Sequence, residues 1–160
     1  MGQIVVGIAD MKIGNGSDEL VTYALGSCIG VCMYDEISGV GGLLHAMLPT
    51  AYIKTAMLQI QKYVDTGVPY LYQALCRRGI NKSLIKAKII GGARMFDFGM
   101  TNSSDDIGTD NVIQARKCLA ELNVPIEAQM TGGFIGRTIY FSAGIGQVRI
   151  RTTNNKDYCI

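Results

Sequence analysis

The chain has 160 residues, 48% hydrophobic and 18% charged, with a net charge of +2, one histidine and five cysteines. That is length enough for one buried core, and too little positive charge, with no basic run interleaved with aromatics, for a nucleic-acid surface. Met1-Gly2-Gln3-Ile4 lacks a basic start and its apolar run stops at Asp10, so neither a signal peptide nor direct membrane insertion is expected, and five cysteines at no framework spacing fit thiols in a reducing cytoplasm.

Gln3 to Ala9 reads as a first strand, and Asn15-Gly16-Ser17-Asp18 as the turn into a second, Leu20 to Leu25, whose alternation puts Thr22 on one face with Leu20 and Ala24. Ile29 to Tyr34 and Val40 to Met47 are short, apolar and partly β-branched. Asp35 to Gly39 between them carries turn chemistry, which predicts a β-hairpin. After Pro49, the spacing of Ile53, Met57, Ile60 and Val64 predicts a helical stripe that covers the core or docks a partner. A helix follows, with Asp65-Thr66 as its cap, Pro69 in its first turn, Val68, Leu71, Leu75 and Cys76 inward and Gly79 as its stop.

Ile85, Ala87 and Ile89 alternate with Lys86 and Lys88, which predicts a half-exposed strand ending in Gly91-Gly92. No Gly-Lys-Ser/Thr follows and no G-x-G-x-x-G opens a helix, so the double glycine reads as a close backbone approach near a site and not as a phosphate loop. Met95 and Phe96 next to it form an apolar docking surface for substrate or partner, or simply core. A polar loop runs to Gly108. Thr109 or Asp110 then caps a helix with Val112, Ala115, Leu119 and Leu122 inward, and strands are expected over Ile126 to Met130, Arg137 to Ala143 and Gln147 to Thr152. Strands in hairpin-like runs with two or three helices between them predict a single α+β domain with mixed sheet over residues 1–152, and a polar tail over 153–160 in which Thr153 to Lys156 is mobile.

His45 is the sole unperturbed candidate for a general base near neutral pH, and Cys28 stands seventeen positions before it in a glycine-flanked turn. A hairpin centred between Glu36 and Ile37 sets Cys28 opposite His45, at a Cβ separation of about 4.5–5.5 Å; a slip of one residue would send them to opposite faces. The thiolate is the nucleophile, so an imidazole that takes the thiol proton and holds the ion pair serves that chemistry. Gly26 and Ser27 would let the chain turn sharply and leave amide N–H groups for a developing oxyanion. Against this stands the plain reading of Cys28 and His45 as core residues. A zinc site at Cys28, Cys32 and His45 has no CxxC and no second histidine behind it, so no metal is expected.

The wording of the stretch is more specific. Thr22, Leu25-Gly26-Ser27-Cys28, Cys32-Met33-Tyr34-Asp35 and Gly41-Gly42-Leu43-Leu44-His45-Ala46-Met47-Leu48-Pro49 closely resemble the chemoreceptor glutamine deamidase family, CheD. Lys62 to Thr66, Lys88 to Phe96, Ile107-Gly108 with Asn111, and Gly132-Gly133 with Gly136-Arg137 follow in the same order, so the resemblance runs from about Ile4 to Arg151. It departs from the family's usual wording at Met130, Phe134 and Ile135.

The resemblance implies a layered β-sandwich flanked by helices. It also implies Cys28 as nucleophile, His45 as base and Thr22 as the group that orients the imidazole. No cofactor is needed. The substrate would be a glutamine on the cytoplasmic helices of a chemoreceptor, and the partner a CheC-type phosphatase. Rival readings are a transglutaminase or cysteine protease using the same acyl chemistry, and a non-catalytic protein that binds receptors or CheC.

Overall fold

The computed structural model describes residues 2–53, 55, 57–94 and 106–160. Among the described residues ten strands form two five-stranded mixed sheets. One sheet has the order β1 (Gln3–Val5), β3 (Glu19–Leu25), β8 (Arg137–Ser142), β9 (Gln147–Thr152), β10 (Asp157–Cys159). The other has the order β2 (Asp10–Asn15), β5 (Val40–Ala46), β4 (Ile29–Asp35), β6 (Lys86–Gly91), β7 (Ile126–Thr131). The β1–β3 and β6–β7 pairs are parallel and the others antiparallel.

Two apolar clusters hold the three layers together. Leu20, Leu25, Tyr34, Leu43, Ile90, Ile139, Phe141 and Ile150 fill the space between the sheets. Leu44, Val68, Leu71, Leu75, Ile89, Ala115 and Leu119 join the outer face of the second sheet to α1 (Val64–Cys76) and α2 (Ile107–Glu121). The expected α+β sandwich flanked by two or three helices is thus the observed architecture, with two α-helices among the described residues. With both faces covered, β4 and β5 are buried almost throughout, which explains why they read as near-continuous apolar runs.

Several local expectations are corrected. The first strand ends at Val5, and residues 6–9, with Ala9 at φ +56°, turn the chain into a further strand, β2, that was not expected. In β3 the alternation fails after Thr22: a bulge between Thr22 and Leu25, with Ala24 at φ +57°, exposes Tyr23 and Ala24 and turns Leu25 back inward. The stripe from Ile53 does not form a helix. Ile53 and Met57 are 76% and 90% exposed, and regular structure begins only with a 3₁₀ turn over Ile60–Lys62. The helix after it starts at Val64, so Pro69 lies inside it and Asp65 in its first turn. The cap of α2 is Asp106, whose carboxylate accepts the Thr109 N–H at 3.1 Å.

Strand β6 is buried on both faces. Lys88, expected outside, is 8% exposed because its ammonium donates to the Gly146 carbonyl at 2.8 Å and lies 5.5 Å from the centre of the Tyr34 ring. Residues 157–159, read as part of the polar tail, pair with β9 as the edge strand β10.

The fit of α2 against the site end of the sandwich depends on Gly108. A Cβ there would come within 2.3 Å of the Ala93 carbonyl oxygen and 2.7 Å of that of Gly92. Gly108→Ala should therefore cost about 1–3 kcal/mol by overpacking, read as a lowered urea midpoint. An unchanged midpoint would show that the helix can back away without loss.

Candidate active site

His45 lies on β5 and Thr22 on β3, so the two face each other across the sandwich from different sheets. Both are buried, at 1% and 0% exposure. The Thr22 hydroxyl stands 2.7 Å from His45 Nδ1 and donates to the Val6 carbonyl at 2.8 Å. A hydroxyl has one proton to give. Since Val6 takes it, Thr22 Oγ1 must accept from Nδ1–H, which fixes the neutral imidazole in the tautomer whose Nε2 carries a lone pair. That Nε2 is buried with no hydrogen-bond partner among the described residues.

The hairpin register differs from the expected one. Gly30, not Cys28, lies opposite His45, because Asp35 pairs with Val40 around a four-residue turn. That turn is held by Asp35, whose carboxylate accepts from the Ile37 and Ser38 amides, and by Gly39 at φ +70°. The shift is two residues, so the face is preserved. Cys28 becomes the diagonal neighbour of His45; such pairs stand about 7–8 Å apart, within reach of longer side chains. Gly30 adds no side chain between them. Cys28 is half-buried against the inter-sheet core, the side to which His45 also points.

The turn that carries Cys28 is held through its carbonyls. Gly26 O accepts from Ala93 N at 2.8 Å, Ser27 O from Asn111 Nδ2 at 2.8 Å, and Cys28 O from Gly92 N at 2.9 Å. The Gly26 and Ser27 amides make no backbone hydrogen bond among the described residues. The expected close approach at the double glycine is present: a Cβ on Gly91, at φ +110°, would lie 2.5 Å from Cys28 O.

Two further residues fasten this end of the molecule. Asn111, fully buried on α2, donates from the same Nδ2 to Met47 O at 3.0 Å and so ties the cysteine turn to the end of β5. Arg137, at the start of β8, donates to Gly91 O at 3.3 Å and Gly132 O at 2.8 Å. Both residues occur in the matched wording, but sequence reasoning gave neither a role. The available signal was Arg137 directly after the glycines at 132, 133 and 136; Asn111, inside a helical pattern, offered none. Met95 and Phe96 lie outside the described residues. Among the described residues no group of three or more His, Cys, Asp and Glu side chains could hold a metal ion.

The electrostatics corrects the expected resting ion pair. Burial pushes the His45 imidazole down from 6.5 to about 4, with the Asp10 carboxylate acting in the opposite sense. Burial pushes the Cys28 thiol up, against its own backbone amide. At neutral pH the pair rests as thiol and neutral imidazole.

A family model described as CheD chemotactic sensory transduction matches residues 47–152. The chain is 42% identical over 150 residues to the probable chemoreceptor glutamine deamidase CheD of Clostridium kluyveri, covering 94% of this chain and 93% of that one. It is 40% identical over 150 residues, with the same coverage, to the protein of that name from Clostridium botulinum strain Hall. The family model begins after His45, but a match to 94% of the chain leaves about ten residues outside and so includes Thr22, Cys28 and His45. In fold the chain is similar to the Neisseria meningitidis protein NMB0706, with a TM-score of 0.50 at 10% identity over 82% of this chain and 64% of that one.

The imidazole is neutral in the folded chain down to about pH 4 but protonates near 6.5 once unfolded. Its contribution to stability is complete above 6.5 and is lost as pH falls toward 4, on the order of 3 kcal/mol in all. Urea unfolding across that window should show the loss in wild type and a flatter profile in His45→Gln. Parallel profiles would show that the buried imidazole does not titrate as described.

Proposed function

The chain belongs to the CheD family, and from that membership, with the His45–Thr22 pair, we propose that it hydrolyses glutamine side chains of chemoreceptors to glutamate through a thioester at Cys28. The observation that carries the mechanism is the buried Nε2 of His45, left without a partner by a hydrogen-bond chain that uses Nδ1–H. In the first half-reaction Nε2 takes the Cys28 proton and the sulfur attacks the carboxamide carbon. The Gly26 and Ser27 amides offer donors for the oxyanion. The imidazolium then returns its proton to the amide nitrogen, the C–N bond breaks and ammonia leaves a thioester. In the second half-reaction His45 takes a proton from water as it adds to the thioester, and gives it to the departing sulfur. Glutamate is released with thiol and imidazole both neutral, as at the start.

Thr22 serves as the positioning residue in this scheme. Its hydroxyl holds the ring as Asn or Asp does in other thiol and serine hydrolases. The apolar residues beside the double glycines, Met95 and Phe96 with the exposed Phe134, are proposed to dock the receptor helix. A CheC-type phosphatase is the protein partner in this reading, and the cytoplasm its compartment. Five free cysteines support that setting, and among the described residues no helix is long and apolar enough to cross a membrane.

Mass spectrometry of a receptor cytoplasmic fragment should show a gain of about one mass unit at chosen glutamines with wild type and none with Cys28→Ala, since hydrolysis requires the covalent step. Thr22→Val should retain activity reduced roughly 10- to 100-fold, the range of one lost buried hydrogen bond. Deamidation by Cys28→Ala would overturn the mechanism, and receptor binding without any mass gain would favour the non-catalytic reading.

A further inference from the structure

Strand β2 lies beside β5 on the flank away from the cysteine, and its first residue, Asp10, is directly opposite His45. Opposed residues of an antiparallel pair share a face, with Cβ atoms about 4.5–5.5 Å apart. The same ring therefore has Asp10 on one flank and, on the other, the side-chain-free Gly30 with Cys28 diagonally beyond it. From the opposite sheet it meets Thr22, which carries no charge. Among the described residues that these contacts place around His45, Asp10 and Cys28 are the titratable ones.

The Asp10 carboxylate is fixed where it stands. It accepts from Met11 N at 2.8 Å and Gly7 N at 3.2 Å, and Lys12 Nζ lies 3.1 and 2.9 Å from its two oxygens. The two oxygens accept from different amides, Oδ1 from Met11 and Oδ2 from Gly7, so an Asn would keep one of these turn bonds while removing the negative charge. It is partly neutralised by a lysine that is itself 46% exposed in its side chain.

We propose that the Asp10–Lys12 ion pair controls the basicity of His45, Asp10 stabilising the imidazolium that forms when Cys28 gives up its proton and Lys12 setting how much of that charge the ring feels. The inference rests on the Cys28–His45 reading of the site. Its chemistry is electrostatic. The hydrogen-bond chain through Thr22 to the Val6 carbonyl is neutral throughout, so it offers no counter-charge behind Nδ1. The carboxylate supplies one from beside the ring. Because Asp10 and Cys28 stand on opposite flanks, the carboxylate favours the imidazolium more than it opposes the thiolate. Asp10 is thus a positioning residue for charge, without contact to substrate.

The single histidine makes the test direct, because its ring signals in an NMR titration of the full chain need no assignment. Asp10→Asn should lower the imidazole midpoint by roughly half to one pH unit, a three- to tenfold loss of basicity expected of one removed carboxylate at this range. Lys12→Met should raise it by a smaller amount. The double variant should lie between Asp10→Asn and wild type, since the fields of the two charges add at the ring. Alkylation of Cys28 by iodoacetamide at pH 7, followed on the Cys28 peptide, should slow in the first variant and quicken in the second. A purely structural role would move both variants the same way. Unchanged midpoints, or shifts of one sign in both, would overturn the proposal; if Asp10→Asn fails to fold, an unmoved midpoint in Lys12→Met alone does so. Failure of the deamidase reading would appear separately, as no receptor mass gain with wild type while these shifts persist.

Discussion

The hydrogen bond from His45 to Thr22 is the constraint on which the site depends, because its ends belong to different sheets. It is made only when the two layers are stacked in one register, and it is completed by Val6, at the mouth of the β1–β2 turn. A sandwich core is otherwise tolerant of small slides, since apolar contacts are non-directional. A buried hydroxyl and imidazole are not tolerant, because each unpaired polar group carries a penalty of about 1–3 kcal/mol. The polar chain through the core therefore selects the arrangement of layers in which Nε2 is left available.

The same economy of hydrogen bonds appears around the cysteine. The Gly26, Ser27 and Cys28 carbonyls are all engaged by donors on the β6–α2 side. The turn is thereby pulled toward one wall, and the amide edge of the chain is what remains for chemistry. Glycine is required at Gly91 by distance, since any Cβ would collide with the Cys28 carbonyl. Arg137 and Asn111 are the ties that keep the wall in place.

Much of this was legible in the sequence where the signal is local. The hairpin of β4 and β5, the limits of β9 and the role of the double glycine follow from β-branched runs, turn residues and the steric freedom of glycine. The pairing of Thr22 with His45 followed from the family wording, not from spacing. What was illegible depends on partners far along the chain. The hairpin register was set by how the Asp35 carboxylate closes its turn, a choice between loops of nearly equal propensity. Lys88 was read as outward because its alternation is that of a half-exposed strand; only the Gly146 carbonyl, from another hairpin, makes its burial affordable. The placement of Asp10 beside His45 was illegible because the pairing of β2 with β5 has no signature in the first ten residues.

The order in which the strands arise along the chain has a consequence for the protein during its own synthesis. Cys28 and His45 leave the ribosome early, but Thr22 is held in its sheet by β8, where it pairs with Ile139, and the glycine wall is pinned by Arg137. Such long-range pairings form late, after the intervening segments are in place. A nascent chain thus carries its thiol with no oriented base beside it, as an ordinary cysteine of low reactivity. On the proposed mechanism the nucleophile is armed by the completion of the fold, and an incomplete or truncated chain has no means of acylating itself on the glutamines of its neighbours.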